Sequence, residues 1–346
     1  MTYFRTALPR IKWRLLFIPV VIIALAGWWL YQDVRTQLDT PLNLDSPAQF
    51  VIAPGMPLRA VAEEMAARGW FEHPRYLQLE GRLRGVETSI KAGEYLLEPG
   101  VTALSLLDMI VAGRVAQHAL TIPEGWTFRQ IINALHAHPH LKRTLHSTTP
   151  ARVMLEIGYP GYAAEGRFFP DTYYFPAGSS DRDFLRRALK RMETVLNEEW
   201  ETRAPGLPYR SSYQALIMAS LIEKETAVPE ERELVAGVFV RRLEQNMKLQ
   251  TDPTVIYALG DSFDGDLRRR DLKLDSPFNT YRYRGLPPTP IAAAGRAAIR
   301  AALHPAPGES LYFVATGDNG GHHFSRSLAE HNQAVAKYQL NDADEH

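Results

Sequence analysis

The pattern of hydrophobic and polar positions changes several times along the 346-residue chain, and its first apolar run is the most uniform. Residues 15–31 carry no charge, and three arginines and one lysine precede them. A run of this length lies near the lower limit of a membrane span. The positive charge before it predicts a cytoplasmic segment at 1–14 and an extracytoplasmic chain after about residue 32. A cleaved signal peptide is the alternative, but bulky residues such as Trp28 occupy the place of a cleavage site.

Beyond a polar tether at 32–48, short apolar runs alternate with helical patterns. Apolar residues spaced i, i+3, i+4 and i+7 predict an amphipathic helix from Leu58 to Arg68. Residues 49–116 therefore predict a small β-α-α-β subdomain. Its opening, residues 50–69, resembles the start of a LysM-type module, which binds glycan; a connector without a ligand is the alternative. The predicted elements are strands at 49–52 and 93–97 and helices at 58–68, 74–83 and 104–112.

A second apolar stretch, Ala215 to Ile222, is interrupted only by Ser220 and predicts a helix that is buried on all sides. It runs directly into Glu223, Lys224 and Glu225, and helical spacing places apolar residues behind both carboxylates. Burial and the C-terminal end of a helix both raise the pKa of a carboxyl group. A carboxylic acid that stays protonated near neutral pH suits general acid catalysis. A purely structural ion pair with Lys224 or an arginine is the alternative.

Two further segments favour contact with a ligand. The run from Gly166 to Pro176 is rich in aromatic residues, including Tyr173, and predicts either a platform for sugar rings or a turn of the hydrophobic core. The segment from Asp275 to Pro290 contains too many turn-forming residues for regular structure and predicts an ordered loop. This loop would present Asn279 and Tyr281 to a ligand. The alternative for Asn279 is that it caps a turn.

Composition excludes several classes of function. Lysine plus arginine equals aspartate plus glutamate, 39 each, so net charge gives no argument for nucleic acid as a partner. The chain has no cysteine, which excludes disulfides, thiolate nucleophiles and zinc–thiolate sites. His136, His138 and His140 lie in a proline-containing polar segment, and a solvated loop is favoured over a metal site. No metal and no cofactor are predicted.

Several short motifs occur in a fixed order, and together they resemble the endolytic murein transglycosylase family, also called YceG-like. The resemblance extends from the apolar run to about Tyr338. The motifs are Phe169 to Phe175, Glu223 to Thr226, Leu249 to Thr254, Ser276-Pro277, Asn279 to Tyr281, Gly285 to Pro288, Leu311 to Ala315, His323-Phe324 and His331-Asn332.

The resemblance implies an enzyme that one helix anchors in the bacterial inner membrane and that faces the periplasm. It would cleave nascent peptidoglycan strands between N-acetylmuramic acid and N-acetylglucosamine, without water, and leave a 1,6-anhydromuramic end. Glu223 would be the general acid and then the base, supported by Lys224 and Glu225. Peptidoglycan synthases, the penicillin-binding proteins, are the protein partners it suggests. The residues expected to bind the strand are Gln250, Thr251, Asp252, Asn279, Tyr281, Tyr173 and His323.

The predicted fold class is α+β, with a transmembrane helix at 15–31, a LysM-like subdomain at 49–116, a mixed α/β catalytic domain at 117–340 and a polar tail at 341–346. Two other functions stay open. One is a membrane-anchored scaffold that binds peptidoglycan without cleaving it. The other is a hydrolytic muramidase that uses Glu225 or Asp252 as a second carboxylate.

Overall fold

The computed structural model describes the backbone of residues 13–317 and 321–340, and side chains within 18–317 and 321–339. Contacts divide the chain into two compact units, one that ends at Gln117 and one that begins at His118. Most of the predicted cytoplasmic segment 1–14 and the whole predicted tail 341–346 lie outside the described residues.

The first helix, α1, spans Trp13–Asp39 and continues well past the predicted apolar run. Val34 and Leu38 lie one turn apart and are buried in the core of the first unit, together with Leu42. The predicted polar tether at 32–48 is therefore helical in its first half, because these apolar positions give it a face to bury. Among the residues that the structure describes, no helix combines the length and the apolar character that crossing a membrane requires.

The rest of the first unit follows the predicted order of a strand, two helices and a strand. Its elements are β1 (Ala48–Ile52), α2 (Leu58–Ala67), α3 (Pro74–Leu83), β2 (Gly93–Leu97) and α4 (Ala103–Ala112). The two strands pair antiparallel, with Phe50 opposite Tyr95, and both side chains are fully buried. Thr102 caps α4 through a reciprocal pair of hydrogen bonds with Ser105. The likeness to a LysM module stays a prediction.

The second unit is mixed α and β, as predicted. In chain order its elements are β3 (Gln117–Thr121), α5 (Phe128–Ala137), β4 (Leu141–Lys142), α6 (Pro150–Glu156), β5 (Thr172–Pro176), β6 (Ser179–Ser180), α7 (Asp181–Glu201), α8 (Ser212–Glu225), α9 (Arg232–Glu244), α10 (Asp252–Leu259), α11 (Arg296–Leu303), β7 (Tyr312–Ala315), β8 (His322–Ser325) and α12 (Leu328–Val335). Strand β3 pairs with β5, β4 runs parallel to β6, and β7 runs antiparallel to β8.

Helix α8 lies at the centre of the larger hydrophobic core of this unit. The hydroxyl group of Ser211 accepts a hydrogen bond from the backbone N–H of Gln214 and caps its N-terminus. Every residue from Ala215 to Ile222 is buried, which confirms the prediction of a helix surrounded on all sides. Its main neighbour is α11, which is rich in alanine and allows a close approach. The end of α8 is therefore held in place by packing along its whole length.

Most of the aromatic run around Tyr173 belongs to a second core in this unit, while Phe169 packs in the larger core. Phe168 and Phe175 are fully buried, and Phe169 is 7% exposed. Tyr173 is half-buried against Phe184, with ring centroids 5.1 Å apart. The run is thus a turn and strand of the hydrophobic core, the alternative that the sequence had left open, and most of its rings are not exposed to bind sugars.

Candidate active site

Glu223, Lys224 and Glu225 end α8 and point in three directions. Successive residues of an α-helix are turned by roughly 100° about its axis, so the two glutamates project from nearly opposite sides. Glu223 contacts the backbone of Gly295, whereas Glu225 contacts Thr251. The sequence pattern could not separate the two carboxylates; their surroundings in the structure do.

Glu223 is half-buried, and one of its oxygens is held by the backbone. Its Oε2 atom accepts a hydrogen bond from the N–H of Gly295 at 2.9 Å, while Oε1 accepts none from the described residues. Burial raises the pKa of Glu223, and the negative charge of Glu124 raises it further. The Gly295 N–H, Arg232 and Lys224 act in the opposite direction. The carboxyl group is therefore fixed at one oxygen and free at the other.

Glu225 lies at a polar cavity of about 490 Å³ on the other side of the helix end. The hydroxyl group of Thr251 donates a hydrogen bond to its Oε2 atom, and burial raises the pKa of Glu225. In the same cavity the Tyr281 hydroxyl donates to Asp252 Oδ1 at 2.5 Å. Gln250 also lines it, so the structure brings four of the seven predicted strand-binding residues, Gln250, Thr251, Asp252 and Tyr281, together near Glu225. Further lining residues are Arg242, Tyr312, His322, His331 and Asn332.

Two segments far apart in the sequence meet at buried threonines beside this cavity. The backbone N–H of Gln250 donates to the carbonyl of Thr280 at 3.2 Å, and that of Thr251 donates to the Thr280 hydroxyl at 3.1 Å. The hydroxyl groups of Thr254 and Thr280 are 2.9 Å apart. These buried polar groups satisfy one another, as buried polar groups generally must. The loop that carries Tyr281 is thereby fixed to the start of α10.

Arg242 and His322 are cavity residues that the sequence reasoning missed. Arg242 is buried and donates to the carbonyls of Leu311 at 2.6 Å and Leu249 at 2.7 Å. The ring of His322 forms a pair with Glu231, with Nδ1 and Oε2 2.7 Å apart. Neither residue has a local signature, because Leu311 lies 69 residues from Arg242 and Glu231 lies 91 residues from His322.

His323, the histidine selected from the sequence, lies on the opposite side of β8. Side chains alternate along a strand, so His322 faces the cavity and His323 is exposed. The contact of His323 is with the ring of Tyr338, at a centroid distance of 5.7 Å. The hydroxyl group of Tyr173, also selected, donates a hydrogen bond to the carbonyl of Phe169 at 2.7 Å. The structure brings neither residue to Glu223 or Glu225.

Asn279 is fully buried, and its side chain is used within its own loop. Its amide nitrogen donates to the carbonyls of Leu272 at 3.0 Å and Leu274 at 2.7 Å. Its Oδ1 atom accepts from the backbone N–H of Tyr281 at 2.9 Å. The predicted contact with a ligand would need these groups, so the alternative of a turn cap describes Asn279 better.

Replacing Asn279 by alanine should therefore lower the free energy of unfolding by about 2 kcal/mol, since it removes two donors from part-buried carbonyls. Urea denaturation of the purified protein measures this loss. Asn279→Asp is the second variant: it keeps the oxygen that accepts from Tyr281 but turns a carboxylate oxygen towards the carbonyls of Leu272 and Leu274, so it should destabilise the protein at least as much. A stability unchanged in both variants would contradict the cap and return Asn279 to a ligand-binding role.

A second and larger cavity, of about 980 Å³, is lined in part by Lys224 at the end of α8. In its wall Glu165 accepts hydrogen bonds from the N–H of Phe128 at 2.8 Å and from the hydroxyl of Tyr257 at 3.0 Å. Burial raises the pKa of Glu165 to about 7. The rings of Tyr257 and Phe278 meet at a centroid distance of 4.9 Å and form an aromatic part of the wall. The wall therefore combines large apolar ring faces with the polar groups of Tyr257 and Glu165.

Comparisons with known proteins agree with one another. A model of the family described as YceG-like matches residues 50–337. A Bacillus subtilis (strain 168) protein named endolytic murein transglycosylase is 31% identical, over 91% of this chain and 89% of its own length. A Streptococcus pneumoniae serotype 2 protein of the same name is 26% identical over 92% of this chain, which spans 63% of that longer relative. The solved structure of a yceG-like protein from Listeria monocytogenes matches with a TM-score of 0.53 and 28% identity, over 83% of this chain and 98% of its own.

Proposed function

The chain belongs to the YceG-like family, and we propose that it is an endolytic peptidoglycan lytic transglycosylase with Glu223 as its general acid and base. Two relatives that cover over nine-tenths of this chain are named endolytic murein transglycosylase. The observation that carries the assignment of Glu223 is its position: half-buried, held at Oε2 by Gly295 and free at Oε1. A carboxyl group placed in this way can exchange a proton with a substrate without moving.

The reaction needs only one carboxyl group. Protonated Glu223 gives its proton to the oxygen that links N-acetylmuramic acid to N-acetylglucosamine, and the bond from that oxygen to C1 breaks. The carboxylate that results takes a proton from the 6-hydroxyl group of the muramic acid, whose oxygen then bonds to C1. This closes the 1,6-anhydro ring, restores protonated Glu223 and consumes no water. Because the starting form is protonated, activity falls as the pH rises above the raised pKa of Glu223.

The two cavities at the end of α8 would hold the strand on either side. The smaller cavity offers Gln250, Asp252 and Tyr281, whose amide, carboxylate and hydroxyl groups can bind N-acetyl and hydroxyl groups of sugars. The larger cavity offers the Tyr257–Phe278 wall. Internal cleavage requires sugar-binding surfaces on both sides of the broken bond, and these two cavities are the candidates.

The reducing end of the product tests this function against its alternatives. The full-length protein is incubated with purified glycan strands, and the products are analysed by mass spectrometry. A 1,6-anhydromuramic end supports the proposal. A free reducing muramic acid would mean hydrolysis with a second carboxylate, and intact strands with retained binding would mean a scaffold. Binding to penicillin-binding proteins is a separate proposal that a pull-down with purified synthases would test.

Peptidoglycan lies outside the cytoplasm, so the second unit acts there. We propose further that residues 15–31 anchor the chain in the bacterial inner membrane, with the N-terminus in the cytoplasm and the rest in the periplasm. The basic residues before this run support that orientation. An alkaline phosphatase reporter, which is active only outside the cytoplasm, should be active when fused after Ala48. Activity of a β-galactosidase reporter at the same position would contradict the topology.

A further inference from the structure

A turn just before α5 brings a second carboxyl group to the place where Glu223 meets the backbone. The N–H of Gly125 donates to the carbonyl of Ala293 at 2.8 Å, and the N–H of Ala293 donates to the carbonyl of Trp126 at 2.7 Å. These two main-chain bonds fix the turn against the segment that leads into α11. The segment continues to Gly295, whose N–H holds Glu223. The side chain of Glu124, at the tip of the turn, extends towards the same glycine.

The space around Gly295 shows how close this approach is. A Cβ atom added to Gly295 would lie 1.7 Å from Glu124 Oε1 and 2.4 Å from its Cδ, so the carboxyl group of Glu124 occupies the space of that atom. Gly295 has φ −74°, which any residue adopts, so the backbone conformation does not require glycine here. The absence of a side chain is what lets Glu124 and Glu223 meet at one residue.

Besides burial, four groups from four parts of the fold act on the pKa of Glu223. Lys224 follows it on α8, Arg232 begins α9, Glu124 comes from the turn, and the N–H of Gly295 precedes α11. Two carboxyl groups that share a site cannot both ionise without repulsion, and the better solvated group keeps the charge. Glu124 is exposed and Glu223 is half-buried, so the carboxyl group of Glu124 favours the protonated form of Glu223 and raises the pKa of Glu223.

On the basis of the function proposed above, we propose that Glu124 is a positioning residue for the proton of Glu223. It holds the proton on Glu223 before cleavage and favours its recovery afterwards. After Glu223 has protonated the leaving oxygen, its carboxylate lies beside the carboxyl group of Glu124, and the repulsion makes Glu223 a stronger base towards the 6-hydroxyl group. Taking that proton restores the protonated form of Glu223.

The test compares variants that carry different charges at residue 124. The measurement is the rate of anhydromuropeptide release as a function of pH. Glu124→Gln should move the fall of activity at high pH to lower pH, by roughly half a unit to one unit, because it removes a like charge. Glu124→Lys should move it further in the same direction. Gly295→Ala should act like Glu124→Gln, since its methyl group would displace the Glu124 carboxyl group while the N–H to Glu223 remains. Glu230→Gln, at an exposed glutamate, is the control and should leave the profile unchanged.

The outcomes separate this proposal from the function on which it rests. If the wild-type protein releases no anhydro product, the proposed function fails. If it does, and the profiles of the three variants superimpose on the wild-type profile, the role of Glu124 is overturned. Should a variant be too slow to assay, the pKa of Glu223 is measured by carbon NMR of its carboxyl group, assigned by its loss in Glu223→Gln. An unchanged pKa in Glu124→Gln likewise overturns the proposal.

Discussion

Glutamine in place of Glu223 should slow the release of anhydromuropeptides by roughly 10² to 10⁴, the range that general acid catalysis contributes. Glutamine keeps an oxygen that can accept from the N–H of Gly295, so the geometry of the helix end is preserved while the exchangeable proton is lost. The measurement is the initial rate of release from purified strands, with a melting curve to show that the variant is folded.

Glu225→Gln is the matched control for this substitution, since both glutamates end the same helix. The rate of anhydromuropeptide release should fall less in this variant, because the Thr251 hydroxyl can still donate to the amide oxygen of glutamine and the cavity keeps its shape. An inactive Glu225→Gln beside an active Glu223→Gln would reverse the assignment. It would then place the acid in the cavity lined by Gln250, Asp252 and Tyr281.

Replacing Arg242 by methionine should lower the free energy of unfolding by about 3 kcal/mol. The guanidinium group of Arg242 links three parts of the second unit: α9, the start of β7 through Leu311, and the segment before α10 through Leu249. Methionine fills similar space but donates nothing, so these carbonyls lose charged donors. Urea denaturation followed by circular dichroism measures the loss.

The control for Arg242→Met is Arg300→Met at an exposed position of α11, which should leave stability nearly unchanged. Arg242→Lys should fall between the two, since lysine keeps the charge but cannot donate in two fixed directions. A stability of Arg242→Met equal to that of Arg300→Met would show that the three segments are held by other contacts.

Elements that depend on local pattern could be predicted from the sequence. The amphipathic spacing at Leu58 gives α2, and the unbroken apolar run from Ala215 to Ile222 gives the buried part of α8. The loop after Asp275 is irregular, as its turn-forming residues required. Gln250, Asp252 and Tyr281, which the motifs indicated as strand-binding residues, line one cavity, and their contact with a strand stays a prediction.

The site residues that could not be predicted from the sequence depend on side-chain orientation or on partners distant in the sequence. His322 and His323 differ by one position in β8, and only pairing with β7 decides which of them faces the cavity. Asn279 has the same donors and acceptor whether it binds a sugar or its own loop, and the carbonyls that engage it could not be identified beforehand. Glu124 approaches Glu223 across about a hundred residues of sequence, so no local pattern could connect them.

The burial of α8 on all sides also limits how its length can change. The apolar residues of the helix pack against neighbours on every side. Its last three residues point in three directions, with Glu223 at Gly295 and Glu225 at Thr251. Deleting one residue between Ala215 and Ile222 would turn the helix end by roughly 100° and bring Lys224 to the place of Glu223. Insertions or deletions in this helix should therefore abolish function even where every side chain that remains is unchanged, whereas substitutions between similar apolar residues should be tolerated. The number of residues in α8 therefore sets the direction in which Glu223 points, whatever apolar residues the helix contains.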